Sequence, residues 1–278
     1  MVCGPKFMEV IMTRTFEDDL KQSNLAGNTI LTYSKAVEYF FRQYGEVNKK
    51  NLLSYKGYLV ENYKTKTVNL RLQAINKYLE FIRRSNLKLK FIKVQQQSFL
   101  ENVISDADYR FFIRKLKENQ RMNWYFVVRY LCATGARISE LIQIKIENVQ
   151  VGYLDIYGKG GKLRRLYIPK RLRTETDVWL AENQRESGFL FRNRFGERIT
   201  ARGIAHQLKT FAVEYGLNPN VVYPHSFRHR FAKNFLERFN DLALLADLMG
   251  HESIETTRIY LRRTANEQQA LIDKIITW

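Results

Sequence analysis

Two hydrophobic periods occupy separate stretches of this chain, and that separation most narrows what it can fold into. Across the first hundred residues apolar side chains return every three or four positions. Ile30, Tyr33, Val37, Phe41 and Tyr44 form one series, and Leu52, Tyr55, Leu59 and Tyr63 a second. Val68, Leu72, Ile75, Leu79 and Ile82 form a third. Side chains at that spacing share one face of a helix, so a helical bundle is expected over roughly 14–86. An alternating pattern appears only much later, in Tyr153-Leu154-Asp155-Ile156-Tyr157 and in Leu166-Tyr167-Ile168 before Pro169. Gly158-Lys159-Gly160-Gly161-Lys162 lies between them, so this stretch reads as a β-hairpin with lysine at its turn. The expected fold is mainly α with one small β-sheet.

The polar stretch Lys93-Val94-Gln95-Gln96-Gln97-Ser98 has no periodicity and is the best linker. A helical domain is therefore expected at 1–95 and a mixed α+β domain at 99–278. In the second, Ser105-Asp106-Ala107-Asp108 resembles a helix N-cap with acids in the first turn, ahead of Phe111, Phe112 and Leu116. Trp124 to Cys132 reads as an apolar helix broken at Thr134-Gly135. Ile204 to Tyr215, Ser226 to Phe239 and Leu242 to Met249 read as further helices. The sequence contains no internal repeat or low-complexity run.

Charge supplies the first functional indication. Lys and Arg number 46 against 28 acids, a net charge of +18. Residues 1–100 hold 17 basic and 8 acidic side chains, and residues 101–278 hold 29 and 20, so each part carries the same excess. A basic tail would concentrate it. Two basic bodies suit a long polyanion, which points to nucleic acid. No apolar run approaches the roughly 18–20 residues a membrane span requires, and Met8 to Met12 makes a poor signal peptide. Cys3 and Cys132 are too few for a disulfide framework or a cysteine zinc site. These features describe a protein of the cell interior, with the nucleoid as its expected place.

Breaking a phosphodiester without a metal requires planar guanidinium groups to take up charge on the non-bridging oxygens. It also requires a nucleophile and a proton donor for the departing 5′ oxygen. The second half of the chain offers such a set in order. Ala133-Thr134-Gly135-Ala136-Arg137-Ile138-Ser139-Glu140-Leu141 is followed by the lysine-bearing turn, then by His225-Ser226-Phe227-Arg228-His229. Leu248-Met249-Gly250-His251 and Thr256-Thr257-Arg258-Ile259-Tyr260 complete it. This series resembles the tyrosine recombinase (phage integrase) family, of the simple two-domain Xer and Cre type. His251 follows Arg228 by 23 residues and Tyr260 follows His251 by nine, as in that family. The resemblance covers the second domain well and the first only as a general helical likeness.

The resemblance implies a role for each motif residue. Arg137 and Arg228 would clamp the scissile phosphate. Tyr260 would attack phosphorus, leaving a 3′-phosphotyrosyl bond and a free 5′ hydroxyl. His225 would take the phenol proton, which otherwise titrates near 10. His251 would hydrogen-bond the phosphate, and Lys159 would protonate the leaving oxygen from the minor groove. Lys162 lies on the same turn and stays open as the alternative to Lys159. Glu140, one helical turn beyond Arg137, reads as an orienting residue. His206 and His229 read as structural or surface residues, and Phe227, where the family more often has Leu, as a packing change. No cofactor or metal is called for.

The resemblance also implies a core-binding helical domain of SAM-like type at 1–95 and a catalytic domain at 99–278. Together they would form a C-shaped clamp on duplex DNA that carries a core site of inverted repeats. About a dozen residues precede the bundle, which is too short for an extra arm-binding domain. After Tyr260, Leu271, Ile272, Ile275, Ile276 and Trp278 share one helical stripe. In the family such a tail docks on a neighbouring subunit, which implies four protomers on two synapsed sites. The rivals are a type IB topoisomerase with the same chemistry, for which the tail would pack on its own domain, and a catalytically silent DNA-binding protein.

Overall fold

The computed structural model describes residues 16–94, 103–157, 163–251, 253–261 and 265–276, the side chains at 265–267 and 270–271 excepted. Lys159, Lys162, the linker residues 95–98, Phe99 and Trp278 lie outside the described residues, as does the side chain of Leu271. The chain divides into two units, Met1–Gln96 and Gln97–Trp278.

Among the described residues of the first unit the regular elements are all helical. Helical residues 16–22 precede α1 (Gly27–Tyr44), α2 (Lys49–Asn62) and α3 (Thr65–Phe81), and a 3-10 turn follows at Ser85–Leu87. The apolar stripes face inward: Val37, Tyr55, Leu59, Leu72 and Leu79 are fully buried. Each such side chain contributes about 1.5–3 kcal/mol relative to exposure. Asn48 caps α2 by accepting a hydrogen bond from the Asn51 amide at 2.8 Å. Buried Asn76 closes the unit against its exit segment. Its amide donates to Leu89 O at 2.9 Å and its carbonyl accepts from Leu89 N at 2.8 Å. The helix at 16–22, with Phe16 and Leu20 fully buried, extends the bundle beyond the three expected stripes.

The second unit opens with α4 (Asp106–Glu118), capped by Ser105, whose hydroxyl accepts from Asp108 N at 3.0 Å. α5 (Met122–Thr134) and the short helices α6 (Ile138–Leu141) and α7 (Ile146–Val151) follow. The hairpin pairs β1 (Tyr153–Tyr157) with β2 (Leu163–Tyr167) antiparallel, with Ile156 opposite Arg164 and Leu154 opposite Leu166. Then come α8 (Lys170–Glu182), α9 (Ala201–Glu214), α10 (Pro224–Phe239), α11 (Leu242–Met249) and α12 (Ile254–Arg258). A 3-10 turn at Ile259–Leu261 and α13 (Ala265–Ile275) complete the unit. Among the described residues no helix is long and apolar enough to cross a membrane. The main core lies around α5, whose Val127, Val128, Tyr130 and Leu131 are fully buried. A smaller cluster of Ala232, Leu236, Leu245, Met249 and Tyr260 lies between α10, α11 and the 3-10 turn. Among the described residues the fold is mainly helical with one two-stranded hairpin, as expected.

Candidate active site

Two helix ends build the floor of the site. α5 stops at Gly135, whose left-handed backbone (φ 62°) closes the helix and turns its carbonyl toward α10. A Cβ there would stand 2.4 Å from Phe231 Cδ1, so only glycine fits. α11 stops in the same manner at Gly250 (φ 61°). The free carbonyls at both ends carry the negative pole of a helix. They are met by arginines. Arg228 Nη1 donates to Gly135 O at 2.6 Å, and its Nη2 donates to Met249 O at 2.7 Å. Arg137 Nη2 donates to Gly250 O at 2.8 Å.

Glu140 ties these cations together. It sits in the first turn of α6, buried, and its Oε2 accepts from the backbone amide of Arg137 at 2.6 Å. Its Oε1 accepts from Arg137 Nη1 at 2.8 Å. Arg228 Nη1 stands 3.9 Å from Oε2, an ion pair without a hydrogen bond. A third arginine, which sequence reasoning missed, completes the cluster. Arg164 on β2 donates to Glu140 Oε2 at 3.0 Å and Oε1 at 3.3 Å. One buried carboxylate therefore serves three guanidinium groups, leaving excess positive charge where an anion would sit. Burial, and then Arg137 beside it, pull Arg228 down to about 10, so it stays charged at neutral pH. Arg137 is the more accessible of the pair, with a side chain 39% exposed against 4% for Arg228.

His251 follows Gly250 and faces the same arginines. Its Nε2 lies 3.1 Å from Arg228 Nη2, and its Nδ1 lies 2.7 Å from the hydroxyl of fully buried Thr257. Burial and then the charges of Arg228 and Arg137 depress it to about 4. His225 is the second residue of α10, one helical turn before Arg228, with Tyr223 at the N-cap. Loss of water around its ring, followed by Arg228 and Arg137, lowers its pKa, so it is neutral and able to accept a proton.

Tyr260 lies on the 3-10 turn, 6% exposed. Its ring stacks at 16° on His251, with centroids 6.2 Å apart. Burial raises its phenol above the ordinary value, while the charge of Arg228 and a hydrogen bond from it pull the other way. His229, read from the sequence as structural, packs its ring 5.2 Å from that of Tyr260. His206 is exposed on α9, away from these groups. The structure thus brings together Arg137, Glu140, His225, Arg228, His251 and Tyr260. Two anchors escaped the sequence reading, Arg164 and Thr257. For Arg164 a signal existed: it shares strand parity with buried Leu166, which places it on the inner face.

Comparison with known proteins agrees with this architecture. Residues 102–267 match the model of the phage integrase family. The tyrosine recombinase XerA of Pyrococcus furiosus is 28% identical over 268 residues, covering 93% of this chain and 92% of that protein. The TnP I resolvase of Bacillus thuringiensis is 27% identical and covers 90% of this chain and 94% of its own length. Among solved structures, XerH recombinase bound to palindromic difH substrate in a post-cleavage complex has a TM-score of 0.72 at 20% identity. It covers 100% of this chain and 85% of its own. A lambda integrase dimer bound to a COC′ core site has a TM-score of 0.71 at 14% identity, covering 90% of this chain and 75% of its own.

Proposed function

The chain belongs to the phage integrase family of tyrosine recombinases, and from that premise we propose how its residues divide the work of site-specific strand exchange. The enzyme cleaves and rejoins DNA, and DNA is its partner. Tyr260 Oη attacks the scissile phosphorus, the bond to the 5′ oxygen breaks, and a 3′-phosphotyrosyl bond forms. His225, neutral at the start of α10, takes the phenol proton. Lys159 gives a proton to the departing oxygen. Arg137 and Arg228 bind the non-bridging oxygens, whose charge grows as the tyrosine adds. Rejoining is the reverse, with the 5′ hydroxyl of a second strand as nucleophile. Each bond is kept as a phosphotyrosine, so neither ATP nor a metal enters the balance.

The observation that carries this reading is that buried Tyr260 stacks on His251, whose Nε2 lies 3.1 Å from Arg228 Nη2 in the arginine cluster. The test is a nicked substrate carrying the core site, on which the released strand cannot religate. Wild type should form an SDS-stable adduct and Tyr260→Phe none; an undiminished adduct in the variant removes Tyr260 as nucleophile. Arg137→Ala should retain DNA binding and lose about 10²–10³-fold in cleavage, the size of effect seen when one preorganised donor is removed.

The assembly we propose is two protomers on each core site of inverted repeats and four on two synapsed sites, joined through the C-terminal helix. The helical unit at 1–95 grips the core site, and the protein acts on the nucleoid. The recombinase and resolvase relatives favour this over a topoisomerase that acts on one strand as a monomer.

A further inference from the structure

The chemistry above uses two arginines, yet a third lies largely buried beside them and hydrogen-bonds to protein acceptors, Glu140 and Met249 O. The Arg164 side chain is 10% exposed. Its guanidinium spans both oxygens of Glu140 and also donates to Met249 O at 2.5 Å. These are the same acceptors the phosphate arginines use: Glu140 holds Arg137, and Met249 O holds Arg228. The chain makes room for it. At Gly250 a Cβ would lie 2.4 Å from Arg164 Cδ and 2.8 Å from its Nη1, so the glycine lets Arg164 cross the end of α11.

Removing this guanidinium would leave Glu140 with buried, unfilled acceptor sites. Arg228 Nη1, already 3.9 Å away, is the nearest further donor to fill them. Turning toward Glu140 would carry it away from a bound phosphate and neutralise part of its charge. We propose that Arg164 is a positioning residue for strand cleavage. It occupies Glu140 and Met249 O so that Arg137 and Arg228 keep their orientation and their charge for the scissile phosphate. The inference rests on the roles assigned above to those two arginines and Tyr260.

Single-turnover cleavage of the nicked substrate tests it, with wild type, Arg164→Gln, Arg164→Lys and Tyr260→Phe compared at equal DNA occupancy. Arg164→Gln should bind DNA as wild type does and cleave about 10- to 100-fold more slowly, the range typical when an outer partner of a working ligand is lost. Arg164→Lys keeps the charge, but one ammonium cannot span three acceptors, so it should fall between. A second substrate carries a methylphosphonate at the scissile position, which removes the charge the arginines must meet. There the deficit of either variant, relative to wild type on the same substrate, should shrink several-fold. A wild-type rate for Arg164→Gln, or an equal deficit on both substrates, overturns the inference, the latter by reducing Arg164 to a structural support. If Arg164→Gln fails to fold, Arg164→Lys carries the same two-substrate comparison. An adduct from Tyr260→Phe would instead strike the underlying reading, whichever way Arg164 behaved.

Discussion

His251 donates its Nδ1–H to the hydroxyl of Thr257 at 2.7 Å, and this bond fixes what its other nitrogen can do. A guanidinium has only donors, so Nε2, 3.1 Å from Arg228 Nη2, must be the accepting nitrogen. The proton is thereby assigned to Nδ1. To donate to a phosphate oxygen, Nε2 must gain a proton, which the incoming anion favours and the surrounding arginines oppose. Thr257→Val keeps the shape and removes the acceptor. It should slow cleavage about tenfold or more with DNA affinity unchanged, and Thr257→Ser should restore the rate. Nitrogen NMR of the His251 ring should show mixed tautomers in the valine variant. Wild-type cleavage with an unaltered ring spectrum would remove Thr257 from the site.

Gly135 offers a separate test, of the floor rather than the walls. Alanine there must adopt a left-handed backbone, at about 1–2 kcal/mol, and its methyl would meet the ring of Phe231. Gly135→Ala should lower stability by about 2 kcal/mol or more in urea titration and reduce cleavage, because Gly135 O holds Arg228. Adding Phe231→Leu removes the overlap but not the backbone strain, so only part of the stability should return. Full recovery would show that φ at Gly135 is unimportant.

Much of this site was legible in the sequence because its residues lie at element ends, where motif and geometry coincide. Gly135 and Gly250 mark helix stops; Arg137 comes two residues after the first and His251 directly after the second. Glu140 lies three residues beyond Arg137, one helical turn away. The hairpin was legible too, since five alternating residues and a glycine turn have few other uses. Other features were obscured by composition. Helix α8 begins Lys170-Arg171-Leu172-Arg173, and that run of charge hides a stripe of Leu172, Thr176, Trp179 and Leu180 that the structure buries. Arg164 sits beside Arg165, which pairs with Asp155 at 2.8 Å on a more exposed face. Two adjacent arginines on a strand look alike until register decides which points inward. Thr257 carried no local mark, because its partner His251 is reached through a turn of the chain.

Histidine burial predicts an acid-side loss of stability. His229 and His251 are both depressed to about 4 by burial and neighbouring cations, while an unfolded histidine titrates near 6.5. Between those values the unfolded chain binds protons that the folded one refuses. Stability is therefore fully present above about 6.5 and falls as pH drops toward 4. After allowance for solvent screening, the two together should cost roughly 1–3 kcal/mol by pH 4. Thermal melts at pH 7 and pH 4.5 measure the loss, and His229→Gln should reduce it. Equal melting of wild type and variant at both values would mean that His229 titrates normally in the folded protein.

The C-terminal helix provides the last test, because it carries apolar surface that its own unit does not bury. On α13, Ile272 is 53% exposed and Ile275 is 55% exposed, and Ile276 just beyond is 42% exposed. A helix packed on its own domain would bury at least one side of such a stripe. Covering three isoleucines contributes about 1.5–3 kcal/mol each before ordering costs, enough to stabilise contact with a neighbouring protomer on DNA but modest for a free dimer in solution. The helix begins five residues after Tyr260, so docking it elsewhere would also bear on where the nucleophile sits. Ile272→Asp with Ile275→Asp should leave folding and single-protomer binding intact, since neither side chain supports the core. Cooperative filling of a two-half-site duplex should fall, and so should recombination between two sites. Gel-shift titration on half and full sites separates these effects. Unchanged cooperativity and recombination in the double variant would refute the tail contact and return weight to a monomeric, topoisomerase-like mode of action.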